Sequence, residues 1–423
     1  MKKIHAAIIV TLISSIFSCK TSDDPGLAWL LALGSGSTAP APSGDIPFDI
    51  GVGDVQGSPD FLFDTARTIP VFISVRDPVS PITGSLIQVL EKPESGSGRV
   101  IFQAVTTPEG TISGTFTISK TEQNVGIVVN VAGKVIRFSV DITNVQEIRR
   151  FVFIDGTVTP IVIVDRDNDG VPDANDAYPD DATRAAKILV PSESYYTVAF
   201  EDLYPSQGDA DFNDYVVKVT NEEDLNAKGE VVRIRGSYTH IACGAGYKHS
   251  LRLKVPATGQ YSLNLYNGVG ALDTSASGTL ASGGYLDIFN GLNSQQTLPY
   301  MANTTKGKAL IPGMKAEFEL VLDQPVTTQT LSAGPFDLYI YVLSTSKEIH
   351  FLGRYFKADG KDQYLDSTGF PWALMIAGPF KWPYEKTNIT SAYAFFDDWY
   401  ISLGLNNNDW FSLPNLELVF PFE

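Results

Sequence analysis

The chain has 423 residues, of which 43% are apolar, and carries 31 Lys plus Arg against 48 Asp plus Glu, a formal charge of −17. That apolar share can bury cores, so a wholly disordered chain is excluded, and so much negative charge disfavours a phosphate backbone, so no nucleic acid partner is expected. Two cysteines exclude a disulfide scaffold, while 36 Gly and 25 Pro between short β-branched runs predict an all-β, multi-domain protein.

Residues 1–18 read as an export leader: Lys2 and Lys3 give the charged start and Ala6 to Phe17 the apolar stretch. The leader ends Ile16-Phe17-Ser18-Cys19. This resembles a bacterial lipobox, which implies acylation of Cys19, palmitate-type chains and a membrane anchor. Lys20 follows the cysteine with no Asp beside it, so the expected location is the outer membrane, facing either way. Acylation of Cys19 would leave Cys243 without a partner in the chain, to be expected as a small buried residue. Residues 19–44 form a Gly, Ser, Pro and Ala-rich tether. Its apolar run Leu27 to Leu33 is too short to span a bilayer, and membrane-resting, partner-packing and incidental readings of it stand level.

Residues 45–158 predict a small β-sandwich. Seven alternating runs fall at 68–78, 85–91, 99–105, 111–119, 124–131, 134–142 and 149–155, with turn residues between them, and are expected to pair antiparallel. The stretch from Pro81 to Phe116 resembles prealbumin-like or carboxypeptidase-regulatory-like modules, which implies a spacer or adhesive unit.

Residues 159–186 carry the sharpest motif. Asp165, Asp167, Asp169 and Asp176 occupy positions 1, 3, 5 and 12 of a calcium loop, with Gly170 at position 6. Ca²⁺ takes six to eight hard oxygens, and alternate side chains of a tight loop can converge to supply them. The Val171 carbonyl would fill position 7, and Asp173 would act through water or on a neighbouring ion. Gly170 is expected where a Cβ would obstruct the turn. No helical pattern precedes the loop, and Asp176-Ala-Tyr-Pro179 resembles the end of a thrombospondin type-3 repeat. The expected role is to stiffen the joint between domains.

Residues 187–423 predict a larger β domain. Two strands, Tyr196 to Phe200 and Tyr215 to Val219, flank a loop with Glu201, Asp202, Asp209, Asp211, Asn213 and Asp214, and no basic residue lies between Lys187 and Lys218. Carboxylates packed this closely call for a compensating cation, so these six are a second set of metal candidates, set against a polar turn capped by its own side chains. The Phe200-Glu-Asp and Gly208-Asp-Ala-Asp-Phe-Asn-Asp214 stretches resemble the opening of the LruC-type domain of bacterial lipoproteins. The resemblance continues through Ala242 to His249, Glu348 to Gly353, Gly369 to Leu374, Trp382 to Glu385, Ile389 to Tyr393 and Asn408 to Trp410. It implies a cell-envelope surface antigen without a defined activity.

His240, Cys243 and His249 are too few for a zinc centre, and no nucleophile-elbow, phosphate-loop or zincin motif occurs. Phe370, Trp372, Trp382, Tyr384, Tyr393, Trp399 and Trp410 read first as core. The sequence therefore predicts a calcium-binding envelope lipoprotein with a structural or adhesive role and no catalysis. The alternative is a glycan-binding module or glycoside hydrolase, using the 201–214 carboxylates and the C-terminal aromatics.

Overall fold

The computed structural model describes residues 61–422 apart from 93–97, 133, 155–163, 193–194, 293–297, 332–333 and 335. Cys19, the leader, the tether and Leu27 to Leu33 lie outside the described residues. Among those described, no helix is long and apolar enough to cross a membrane.

The first unit is built from β1 (Ala66–Arg76), β2 (Leu86–Glu91), β3 (Val100–Val105), β4 (Thr111–Ser119), β5 (Asn124–Val131), β6 (Lys134–Asp141) and β7 (Ile148–Phe153). They form two facing sheets, β4-β1-β7 and β3-β2-β5-β6. Period-two alternation turns Ile69, Val71, Ile73 and Val75 of β1 inward against Ile87, Val89, Ile127 and Val129. The expectation of an all-antiparallel sandwich is corrected at one pair. β7 runs parallel to β1, from Val71 opposite Ile148 to Arg76 opposite Phe153. After β6 the chain changes sheets and comes back beside β1 in the same direction, a crossover that no hairpin can make.

Among the described residues the second unit comprises β8 (Ala186–Val190), β9 (Tyr196–Phe200), β10 (Tyr215–Leu225), β11 (Glu230–Ala242), β12 (His249–Lys254), β13 (Gly259–Tyr266), β14 (Leu272–Leu280), β15 (Leu286–Phe289), β16 (Lys315–Thr327), β17 (Asp337–Val342), β18 (Lys347–His350) and β19 (Ala373–Ala377). The large sheet runs β14-β13-β16-β11-β10-β9-β19, with β8 pairing the far half of β10, and the small one runs β15-β12-β17-β18. Ile234, Tyr238, Phe318 and Leu320 of the large sheet and Leu251, Leu253, Leu338 and Ile340 of the small one are all buried in one core. β9 and β10 pair from Phe200 opposite Tyr215, so the acidic segment 201–214 is the loop of this antiparallel pair.

That core is continuous through both units. The Thr65 N–H donates to the Met375 carbonyl at 3.2 Å, and the Ala377 N–H donates to Thr65 Oγ1 at 2.7 Å, which seats the lead-in to β1 beside β19. Phe61 and Phe63 enter the C-terminal aromatic cluster, their rings 4.8 and 5.8 Å from that of Trp399. Trp372, Trp382, Trp399 and Trp410 are all buried, the last three completely. They are core, and so no stacking platform is built from them.

Along β10, alternation buries Val219, Asn221, Glu223 and Leu225 while Lys218, Thr220 and Glu222 reach partly into solvent. Burial pushes the Glu223 carboxyl up from 4.5 to about 8. A raised value means that the fold keeps a proton which the unfolded chain releases. The associated stability is full below pH 4.5 and is lost as pH rises towards 8. The slope of that loss is about 1.4 kcal/mol per pH unit. Glu223→Gln is expected to flatten the dependence, gaining ~1 kcal/mol on the native chain between pH 6 and 7 in urea unfolding. Parallel pH profiles for the two proteins would refute the assignment.

Candidate metal centre

Asp165, Asp167 and Asp169 each bring a carboxylate oxygen within 4.8 Å of the others. The loop holds them through its own backbone. Asp165 accepts from the N–H groups of Asn168 (2.8 Å) and Gly170 (3.0 Å). Asp167 accepts from Asp169 N–H at 3.3 Å, Asp169 from Val171 N–H at 2.7 Å and Asp176 from Tyr178 N–H at 2.6 Å. In the last three carboxylates that uses only Oδ1. Oδ2 of Asp167, of Asp169 and of Asp176 is buried with no hydrogen-bond partner. An acceptor shielded from water without a donor is costly, and a carboxylate more so. Burial, with Asp176, Asp167 and Asp165 nearby, pushes Asp169 up to about 6, and burial with Asp167 and Asp165 raises Asp176.

Two expectations change in detail. Gly170 has φ +96°, but a Cβ there would meet nothing within 4 Å, so backbone conformation selects glycine at this turn. Asp173 is turned to Arg166, accepting from its N–H at 2.9 Å and its Nε at 2.7 Å, and does not join the three converging aspartates. Val171 contributes its side chain: completely buried, it packs with Leu86 of β2 and Ala185.

The loop touches both units. Gln103 of β3 donates to the Asn175 carbonyl at 3.2 Å. On the other side the Ala177 N–H donates to the Ala185 carbonyl at 3.0 Å, and the Tyr178 hydroxyl donates to the completely buried Asp224 at 2.6 Å. Arg233 and Arg235 also bind Asp224, and Arg184 stacks on the Tyr178 ring. Tyr178→Phe removes one charge-assisted donor and is expected to cost ~1–3 kcal/mol in denaturant unfolding. A cost below ~0.5 kcal/mol, the range of ordinary surface substitutions, would show that this link does not hold the loop.

In the second acidic segment Glu201, Asp209 and Asp211 converge within 4.8 Å. Glu201 accepts from Phe212 N–H at 2.6 Å through Oε1, while Oε2 is buried and unpartnered. A Cβ on Gly208 would lie 2.2 Å from that Oε2, so glycine lets the loop close over it. Asp211 accepts from the N–H groups of Asn213 (3.2 Å) and Lys386 (2.7 Å). Asp202 and Asp214 are directed elsewhere: Asp202 pairs with His249 Nε2 at 2.9 Å, and Asp214 accepts from Asp202 N–H at 2.9 Å. Burial is the main cause that raises these acids. It acts with Asp211 on Glu201, with Asp209 to bring Asp211 to about 7, and with Glu201 to bring Asp214 to about 10. Asn213 donates to the Pro383 carbonyl at 3.1 Å, leaving Oδ1 buried and unpartnered.

Sequence reasoning missed Glu385. Its Oε2 is also buried and unpartnered, and burial with Asp209 nearby raises its carboxyl. Asp202, Asp209, Asp214 and Glu385 line a hollow of about 610 Å³, beside the exposed rings of Tyr247 and Tyr300. Spacing could not have found Glu385, because only the folded chain brings it to this loop.

No zinc arrangement forms. His249 is held by Asp202, His240 stacks on Tyr215 with centroids 4.0 Å apart, and Cys243 is a buried free thiol. Burial drops His240 to about 3, which keeps it neutral.

A family model described as "Domain of unknown function (DUF4842)" matches residues 229–411, less than half of the chain. No curated protein matches. Among solved structures, a chain described as "Putative lipoprotein from Bacteroides ovatus" is 17% identical, with 80% of this chain and 99% of that one covered and a TM-score of 0.48. The shaft pilin SpaA of Lactobacillus rhamnosus GG is 8% identical over 44% of this chain and 91% of its own, with a TM-score of 0.17. The major pilin subunit BcpA of Bacillus cereus is 10% identical over 70% and 91%, also at 0.17. All three scores lie below 0.5, and no function is carried over from these chains.

Proposed function

We propose that this chain is a non-catalytic cell-envelope lipoprotein in which bound Ca²⁺ holds two β units in one arrangement. Cys19 carries the acyl anchor to the outer membrane and residues 19–44 act as the tether. Asp165, Asp167, Asp169 and Asp176 supply side-chain oxygens to the ion and Val171 its carbonyl. The observation that carries this reading is the three buried, unpartnered Oδ2 atoms of Asp167, Asp169 and Asp176. A hard divalent cation satisfies such oxygens without a donor. The loop's contacts with β2 and β3 on one side and Ala185 and Asp224 on the other make the ion a clamp at the joint.

Calorimetric titration of the full chain with CaCl₂ tests this. Asp167→Asn/Asp169→Asn is expected to abolish the heat from this site, and an unchanged isotherm would overturn the reading. For the anchor, Cys19→Ser is expected to release the chain from the membrane fraction and to end acyl labelling. Retention with label would place the attachment elsewhere. The glycan-binding alternative loses its C-terminal tryptophans to the core.

A further inference from the structure

The C-terminal segment is stitched to the 208–213 loop by four hydrogen bonds. Asn213 Nδ2 donates to Pro383 O at 3.1 Å, Lys386 N–H to Asp211 Oδ2 at 2.7 Å, Asn388 Nδ2 to Asp209 O at 3.1 Å and Ile389 N–H to Ala210 O at 2.8 Å. Polar atoms remain unmatched within that seam. Glu201 is 3% exposed and Asn213 0%, and Oε2 of the first and Oδ1 of the second lack any partner. Across Gly244, Asn213 Oδ1 and Glu385 Oε2 converge, 1.8 and 2.8 Å from the place a Cβ would take. All of these atoms are acceptors, so a further side chain accepting hydrogen bonds would not relieve them. No ammonium or guanidinium reaches salt-bridge distance of Glu201, Asp209, Asp211 or Glu385 among the described residues, and the charge of Lys386 offsets Glu385 only in part, since its carboxyl stays raised.

We infer that Glu201, Asp209 and Asp211, closed by Asn213 of the same loop and by Glu385 from the C-terminal segment, form a second site for a hard divalent cation, and that the ion fastens the C-terminal segment to the β9–β10 loop. Several oxygens and no nitrogen or sulfur is a calcium-type donor set. The raised carboxyls agree with it, because acids buried together stay neutral unless a cation offsets them. The site is independent of the joint loop and does not rest on it.

Native mass spectrometry of the full chain, released from detergent micelles in calcium buffer, counts the ions. The native chain is expected to hold two and Asp167→Asn/Asp169→Asn one. Asp209→Asn/Glu385→Gln changes an exposed residue and a half-buried one, so the fold should persist by circular dichroism. That variant is expected to keep only the ion of the joint. Hydrogen exchange gives a second readout: calcium should slow exchange at Lys386 and Ile389 in the joint variant and leave it unchanged in the Asp209/Glu385 variant. If the joint variant holds no ion, or the Asp209/Glu385 variant still holds two, the second site is overturned. A native chain that holds a single ion, kept by the joint variant and lost by the Asp209/Glu385 variant, would by contrast tell against the proposed clamp alone.

Discussion

Chelation of calcium from the full chain is expected to lower its melting temperature by about 3 °C for each ion lost, the shift that follows in a chain of this length from losing ~2.7 kcal/mol when an ion is present at a hundred times its Kd. The sign comes from the joint. Without the ion, Asp165, Asp167 and Asp169 face one another, Asp176 lies near enough to raise Asp169, and three oxygens of the four are buried and unpartnered. Mutual repulsion and lost solvation then favour an open loop. Opening would free Val171 from Leu86 and Ala185 and loosen the Tyr178–Asp224 link. Chelation should therefore raise hydrogen exchange at Gly170, Val171 and Tyr178, whose N–H groups are bonded within the loop. Magnesium should not restore the melting temperature, because its near-ideal octahedron suits a flexible multidentate loop poorly. Coincident melting curves with calcium and with chelator would remove both proposed ions.

Trp399→Ala is expected to cost ~3–5 kcal/mol, the range for deleting a large buried aromatic side chain. The ring is completely buried and contacts Phe61, Phe63, Phe396 and Trp410 at centroid distances between 4.8 and 5.8 Å. Two of those neighbours precede β1, so the cavity opens where the first unit is seated on the second. The variant should therefore lose a single cooperative transition: fluorescence of the remaining tryptophans and far-ultraviolet dichroism should report different midpoints in denaturant. A cost under ~1 kcal/mol, or coincident midpoints, would show that this cluster does not couple the units.

Local pattern carried much of this structure. The run 111–119 and the run 124–131 coincide with β4 and β5, and the run 99–105 is β3 with one extra residue. Alternation is a local property, and it is enforced wherever one face is buried. The acidic spacing likewise placed Asp165, Asp167 and Asp169 together, as it did Asp209 and Asp211, because alternate residues of a tight loop share a side. Pairing between distant segments was not legible. The parallel β1–β7 pair, the partition of β10 between β8 and β9, and the entry of Phe61 and Phe63 among C-terminal rings depend on which segments meet, and alternation within a run does not encode that. Glu385 belongs with these. The partner of Asp173 was likewise not legible: spacing suggested a role through water or on a neighbouring ion, and the fold brings it to the Arg166 N–H and Nε.

The docking of Phe61 and Phe63 also fixes how the molecule bears load. A pull arriving from the N-terminal side reaches those rings, and the Thr65 pairing with Met375 and Ala377, before it reaches β1. The far unit takes the tension first, while the small sandwich stays slack behind it. Pulled from its N-terminal side, such a protein would yield by tearing two phenylalanines from a tryptophan nest, and a force-extension trace should begin with that rupture.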